Sequence, residues 1–114
     1  MRVLVVDDDE SIRRMLPRIL RGFDVAAVAG ATEGLALLAA REFDLVLSDY
    51  GLQPTDGLTF LQEVQRAHPT VHRYLMSGFD ERRFAPHVAS GLVRRVFPKP
   101  IDLPTLREAL LAHP

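Results

Sequence analysis

The sequence predicts an α/β domain built as a doubly wound, all-parallel sheet of five strands in the order 2-1-3-4-5. Three observations predict it. Short apolar runs alternate five times with amphipathic stretches, which is the pattern of βα units with helices on both sheet faces. The chain has 114 residues, too few for an eight-stranded barrel or a full dinucleotide fold. Hydrophobic residues make up 47% and charged residues 25%, the composition of one soluble domain, which we take as residues 1–114 with no output domain in this chain.

Residues 2–6 read as a buried strand, and residues 11–21 carry Ile12, Met15, Leu16, Ile19 and Leu20 at helical spacing. The alternation continues with a strand at 24–28, a helix at 32–41, a strand at 45–48, a helix at 58–67 and a strand at 71–76. A poorer helix follows at 80–89, then a strand at 92–97 and a helix at 102–112. Asp56 and Asp102 stand where helix N-caps belong, and Gly22 and Gly91 where helices stop. Pro17 predicts a kink in the first helix and Pro86 a short or irregular fourth one.

Composition excludes several chemistries. Without cysteine there is no disulfide, thiolate zinc site or cysteine nucleophile. No apolar run approaches the ~20 residues that span a bilayer and no signal peptide precedes the first strand, so we expect a soluble cytoplasmic protein. A net charge of -1, with no basic run longer than an Arg pair, argues against direct nucleic-acid binding. Thirteen of the fourteen basic residues are Arg, and Lys99 is the single lysine.

In this strand order the crevice lies at the carboxyl ends of strands 1 and 3. Strand 1 ends in Asp7-Asp8-Asp9-Glu10, strand 3 in Asp49, strand 4 in Ser77-Gly78 and strand 5 in Lys99-Pro100. Each alone has an ordinary reading as a capped turn or a solvated charge. Together they do not, because three clustered carboxylates repel by roughly a few kcal/mol per close pair unless a cation sits among them. All-oxygen ligands with open positions suit Mg2+, which usually shares its shell with a phosphoryl group. A phosphoryl group on Asp49 would leave oxygens for a hydroxyl donor, Ser77, and a compact ammonium, Lys99. No G-x-G-x-x-G or P-loop motif offers a nucleotide site. His68, His72, His87 and His113 share no helix at ligand spacing, and Phe23, Phe43, Phe60 and Phe84 read as core.

The segments VLVVDDDESIRRML, FDLVLSDYGLQPTDGLTFL, YLMSGF and VFPKPIDLPTL resemble the receiver domain of two-component response regulators over essentially the whole chain. The resemblance implies a flavodoxin-like (βα)5 fold and a phosphoacceptor role for Asp49. It further implies Mg2+ held by Asp7, Asp8, Asp49 and the Gly51 carbonyl, phosphoryl contacts from Ser77, Gly78 and Lys99, and a cis peptide at Lys99-Pro100. Its partners would be a sensor histidine kinase or phosphotransfer protein and a downstream protein target, with no nucleic acid or membrane, and a weak homodimer left open. Such a domain is no enzyme beyond phosphotransfer to itself and autodephosphorylation. Two other readings were weighed: a phosphotransferase or hydrolase with Asp7 as nucleophile and Asp9 as acid/base, and a pseudo-receiver that only binds protein. Two positions depart from the family pattern. Gln53 stands where a proline is usual, with Pro54 after it, and Val96 stands where an aromatic residue is usual, which removes the ring the family uses as a switch.

Overall fold

In a computed structural model, which describes residues 1–112, the chain forms one five-stranded parallel sheet of order β2-β1-β3-β4-β5. The strands are β1 (Arg2–Val6), β2 (Asp24–Val28), β3 (Leu45–Asp49), β4 (His72–Ser77) and β5 (Arg95–Pro98). The helices are α1 (Glu10–Ile19), α2 (Ala31–Ala40), α3 (Gly57–Ala67), α4 (Ala85–Ala89) and α5 (Leu103–Leu111). His113 lies outside the described residues.

Strand alternation sorts the apolar residues into two cores. Leu4, Val6, Val46, Leu75 and Val96 face Leu38 of α2 and Phe60, Leu61 and Val64 of α3. Val3, Val5, Leu47, Met76 and Phe97 face Leu16 of α1 and Leu106 and Leu110 of α5. β1 and β3 are covered on both faces, which is why they read as continuous apolar runs. Phe60 and Phe84 are buried, and Phe23 and Phe43 pack partly buried against the cores.

The helix ends follow the local chemistry. Asp9 and Asp56 cap α1 and α3 by accepting from the Ser11 and Thr59 backbone N–H groups, each at 2.8 Å. Asp102 occupies the cap position of α5, but its carboxylate accepts from the Thr105 hydroxyl instead. Gly22 and Gly91 take positive φ, 91° and 84°, in the turns after α1 and α4. α1 continues through Pro17 to Ile19.

The fourth helix is short and irregular, as Pro86 predicts, and one strand differs from the sequence expectation. The fourth helix divides into a 3-10 stretch, Glu81–Phe84, and the five-residue α4. Pro86, in the first turn of α4, has no N–H with which to carry an α-helical ladder across the junction. β5 begins at Arg95 rather than Leu92. Leu92 and Val93 are core residues, yet their N–H groups go to the Ser90 hydroxyl and the His87 carbonyl, so they pack without joining the ladder.

Candidate functional site

The carboxyl ends of β1, β3, β4 and β5 converge as the strand order requires. Asp7 follows β1 and extends its pairing, donating its N–H to the Val28 carbonyl at 3.0 Å. Its carboxylate is fully buried: Oδ1 accepts from the Asp9 N–H and Oδ2 from Lys99 Nζ, both at 2.9 Å. Asp49 closes β3 and is also buried, while Asp8 is exposed. Carboxylate oxygens of Asp7, Asp8 and Asp49 lie within 4.8 Å of one another.

Lys99 is the one cation bonded to this cluster among the described residues. Nζ reaches Asp7 Oδ2 at 2.9 Å and Asp49 Oδ1 at 3.0 Å. Burial disfavours the ammonium, but the hydrogen bonds it donates to Asp7 and Asp49 and the charges of those carboxylates outweigh it, so the Lys99 pKa is raised. The Lys99 N–H donates to the Ser77 carbonyl at 2.9 Å, which sets the lysine against the end of β4. The Lys99–Pro100 peptide is cis, as is Gln53–Pro54 in the loop after β3.

Ser77 is buried at the end of β4, beside Asp49 through the Asp49–Met76 register. Its hydroxyl accepts from the Phe79 N–H at 3.0 Å, across Gly78. Gly51 lies against the end of β3, where a Cβ would stand 3.4 Å from Asp49 Oδ2. Asp9 is drawn off the cluster by its capping role. Among the described histidines none joins a metal-ligating group.

Three contributors were not singled out by the sequence. The Arg13 guanidinium returns from α1 to donate to the Asp7 carbonyl at 3.0 Å, fixing the acidic turn. Only its position four residues after the N-cap, one helical turn on, distinguishes it from twelve other arginines. Gly57 opens α3 so close to β3 that a Cβ would lie 2.1 Å from the Asp49 carbonyl oxygen, and its N–H donates to the Tyr50 carbonyl at 2.7 Å. Arg83 stacks on the rings of Tyr50 and Phe79 beside the site.

This constellation can bind a hard divalent cation and an anionic group next to a carboxylate nucleophile. The three carboxylates supply hard oxygen donors gathered closely enough to hold one small ion.

Comparison with known proteins agrees with this geometry. A family model described as "Response regulator receiver domain" matches residues 3–111. The chain is 33% identical to transcriptional regulatory protein ZraR of Salmonella typhimurium, over 97% of this chain and 26% of that protein. It is 32% identical to sensor kinase CckA of Brucella abortus, over 91% of this chain and 11% of that protein. The chain thus spans about a quarter or less of these relatives. Among solved structures it resembles the signal receiver domain of an HD domain-containing protein from Pseudomonas fluorescens Pf-5. That match has a TM-score of 0.87 at 33% identity and covers 96% of this chain and 83% of the other.

Proposed function

The chain belongs to the response regulator receiver domain family, and from that membership we propose that Asp49 accepts a phosphoryl group from a phosphohistidine on a cytoplasmic sensor histidine kinase or phosphotransfer protein. The observation that carries this reading is Lys99 bridging Asp7 and Asp49 within a cluster of three carboxylates at the strand ends. Asp7, Asp8, Asp49 and the Gly51 carbonyl would hold Mg2+. When bound, that ion supplies neutralisation of the charge on the transferring group.

An Asp49 carboxylate oxygen bonds to phosphorus as the phosphorus–nitrogen bond of phosphohistidine breaks. The leaving imidazole nitrogen keeps the electron pair and takes a proton from solvent. Lys99 then pairs with a phosphoryl oxygen in place of Asp49, and the Ser77 hydroxyl donates to another, with Gly78 leaving the approach open. Water later attacks phosphorus, releasing phosphate and restoring the carboxylate. The phosphorylated state is read by a downstream protein target.

The geometry favours Asp49 over Asp7 as nucleophile, because both Asp7 oxygens are already accepting hydrogen bonds inside the fold. Asp9, the general acid that an Asp7 mechanism needs, is occupied as an N-cap. Intact-mass spectrometry after treatment with acetyl phosphate should show one phosphoryl adduct that requires Mg2+ and is absent in Asp49→Asn. Labelling in EDTA, or of Asp49→Asn, overturns the assignment.

A further inference from the structure

Beside the site a cation is held by rings rather than by carboxylates. Arg83 stands in the 3-10 stretch, its N–H bonded to the Asp80 carbonyl at 3.0 Å. Its guanidinium carbon lies 4.3 Å from the Phe79 ring centroid, 5.4 Å from that of Tyr50 and 6.0 Å from that of Phe84. A long hydrogen bond, 3.4 Å, joins Nη2 to the Tyr50 hydroxyl. Tyr50 meets Phe79 and Phe84 edge on, at 5.7 and 5.1 Å between centroids. Phe84 is buried and anchors the group, whereas Phe79 is 53% exposed. Phe79 follows Gly78, and its half-exposed ring is held against Arg83 and Tyr50.

The two ends of this stack are the two working segments of the site. Tyr50 is the residue after Asp49 and is tied to β4 by donating its N–H to the Met76 carbonyl at 2.8 Å. Phe79 donates its own N–H to Ser77 Oγ at 3.0 Å. A serine hydroxyl has one proton and two lone pairs. With one lone pair occupied by the Phe79 N–H, the oxygen is fixed in place and its proton remains free to donate. Gly78, between Ser77 and Phe79, carries no side chain that could pack and restrain the segment in place of the stack.

We propose that Arg83 is a positioning residue for the phosphoryl-contacting hydroxyl. By clamping Phe79 against Tyr50 it keeps the Phe79 N–H on Ser77 and sets that hydroxyl to donate to the group carried by Asp49. This rests on the reading of Asp49 as the acceptor. It also gives the domain a cation–aromatic link between the acceptor loop and the segment leading into α4, on the sheet face where Val96 supplies no ring.

The test is a coupling cycle on the full chain, with beryllofluoride as the phosphoryl probe in saturating Mg2+, read by fluorine NMR or calorimetry. Arg83→Met should weaken probe binding about fivefold, the equivalent of one partly exposed cation–aromatic contact. Arg83→Lys should fall between parent and Arg83→Met, since an ammonium can cover one ring but cannot bridge two. In a Ser77→Ala background Arg83→Met should make no further difference. Mg2+ affinity without fluoride should stay within about twofold, because no carboxylate ligand is touched. An equal loss in the Ser77→Ala background, an equal loss of Mg2+ affinity, or unchanged probe binding by Arg83→Met overturns the role of Arg83 and leaves the acceptor assignment standing. A parent protein that binds no probe and takes no phosphoryl group on Asp49 overturns both.

Discussion

Replacing Lys99 by Met removes the ammonium that bridges two buried carboxylates while leaving the length and apolar stem of the side chain. The loss follows from three facts. Nζ contacts Asp7 and Asp49 at 2.9 and 3.0 Å, the Asp7 side chain is 0% exposed and that of Lys99 is 25% exposed. Breaking a fully buried pair by removing one partner costs about 3–5 kcal/mol. Water reaches Lys99, and Asp8 is exposed, so solvent screening brings the loss below that range and we expect about 2–3 kcal/mol. At roughly 4 °C per kcal/mol for a domain of this size, the melting temperature should drop by about 8–12 °C. The same ammonium opposes a divalent cation, so Lys99→Met should bind Mg2+ more tightly than the parent, and saturating Mg2+ should restore more of its melting temperature. Circular dichroism melts at neutral pH and low salt, with and without Mg2+, decide the matter. A fall under about 3 °C, or one that Mg2+ leaves unaltered, would refute the view that Lys99 neutralises the acidic cluster.

Gly57→Ala should destabilise the chain by at least about 1–3 kcal/mol in urea titration, because its Cβ meets the Asp49 backbone carbonyl and no side chain can yield; parent-like stability would contradict that tight approach. Asp8→Asn should weaken Mg2+ binding in a metal titration far more than Asp9→Asn, whose amide can still cap α1; equal losses would mean the ligand set is misplaced. His72 is depressed in pKa by burial and by the nearby Arg94 and Arg73 charges, against the opposing pull of Asp44. The folded state therefore holds fewer protons there than the unfolded chain, and stability falls as pH drops below the unfolded value of about 6.5. His72→Gln should show a shallower loss between about pH 7.5 and 5.5, and parallel slopes for the two proteins would exclude this contribution.

The legible parts of this protein are those where pattern and physics coincide. Alternation along β5 assigns Val96 and Phe97 to opposite faces from sequence, and they sit in the two separate cores. The strand ends carrying Asp7, Asp49, Ser77 and Lys99 were readable because a doubly wound sheet of this length places them together. The start of β5 was not. Leu92 and Val93 are as apolar as any strand residues, and only the hydrogen bonds they donate to Ser90 and His87 reveal a packed loop. Nothing in the local sequence marks Gly57, since its need for bare backbone comes from β3, eight residues earlier. The Arg83 stack was hidden for another reason. It depends on a 3-10 stretch bringing residues 79 and 83 together above Tyr50, and the sequence pattern there suggested only a weak helix.

Several arginines pair with exposed carboxylates, but others do work that the chain's single lysine does not. Arg73 spends its fork on backbone carbonyls, reaching Leu92 and Val71 at 2.8 Å and, at longer range, Gly91 and Pro69, so it ties the turn before β4 to the turn before β5. Arg13 and Arg107 likewise bond the carbonyls of Asp7 and Arg21, and Arg83 uses its flat face against rings. These tasks need a planar group with several directed donors. The carboxylate cluster needs the opposite: one compact nitrogen shared between Asp7 Oδ2 and Asp49 Oδ1. A point-like ammonium meets that demand better than a planar fork, so the composition breaks its own habit where one cation bridges two buried carboxylates.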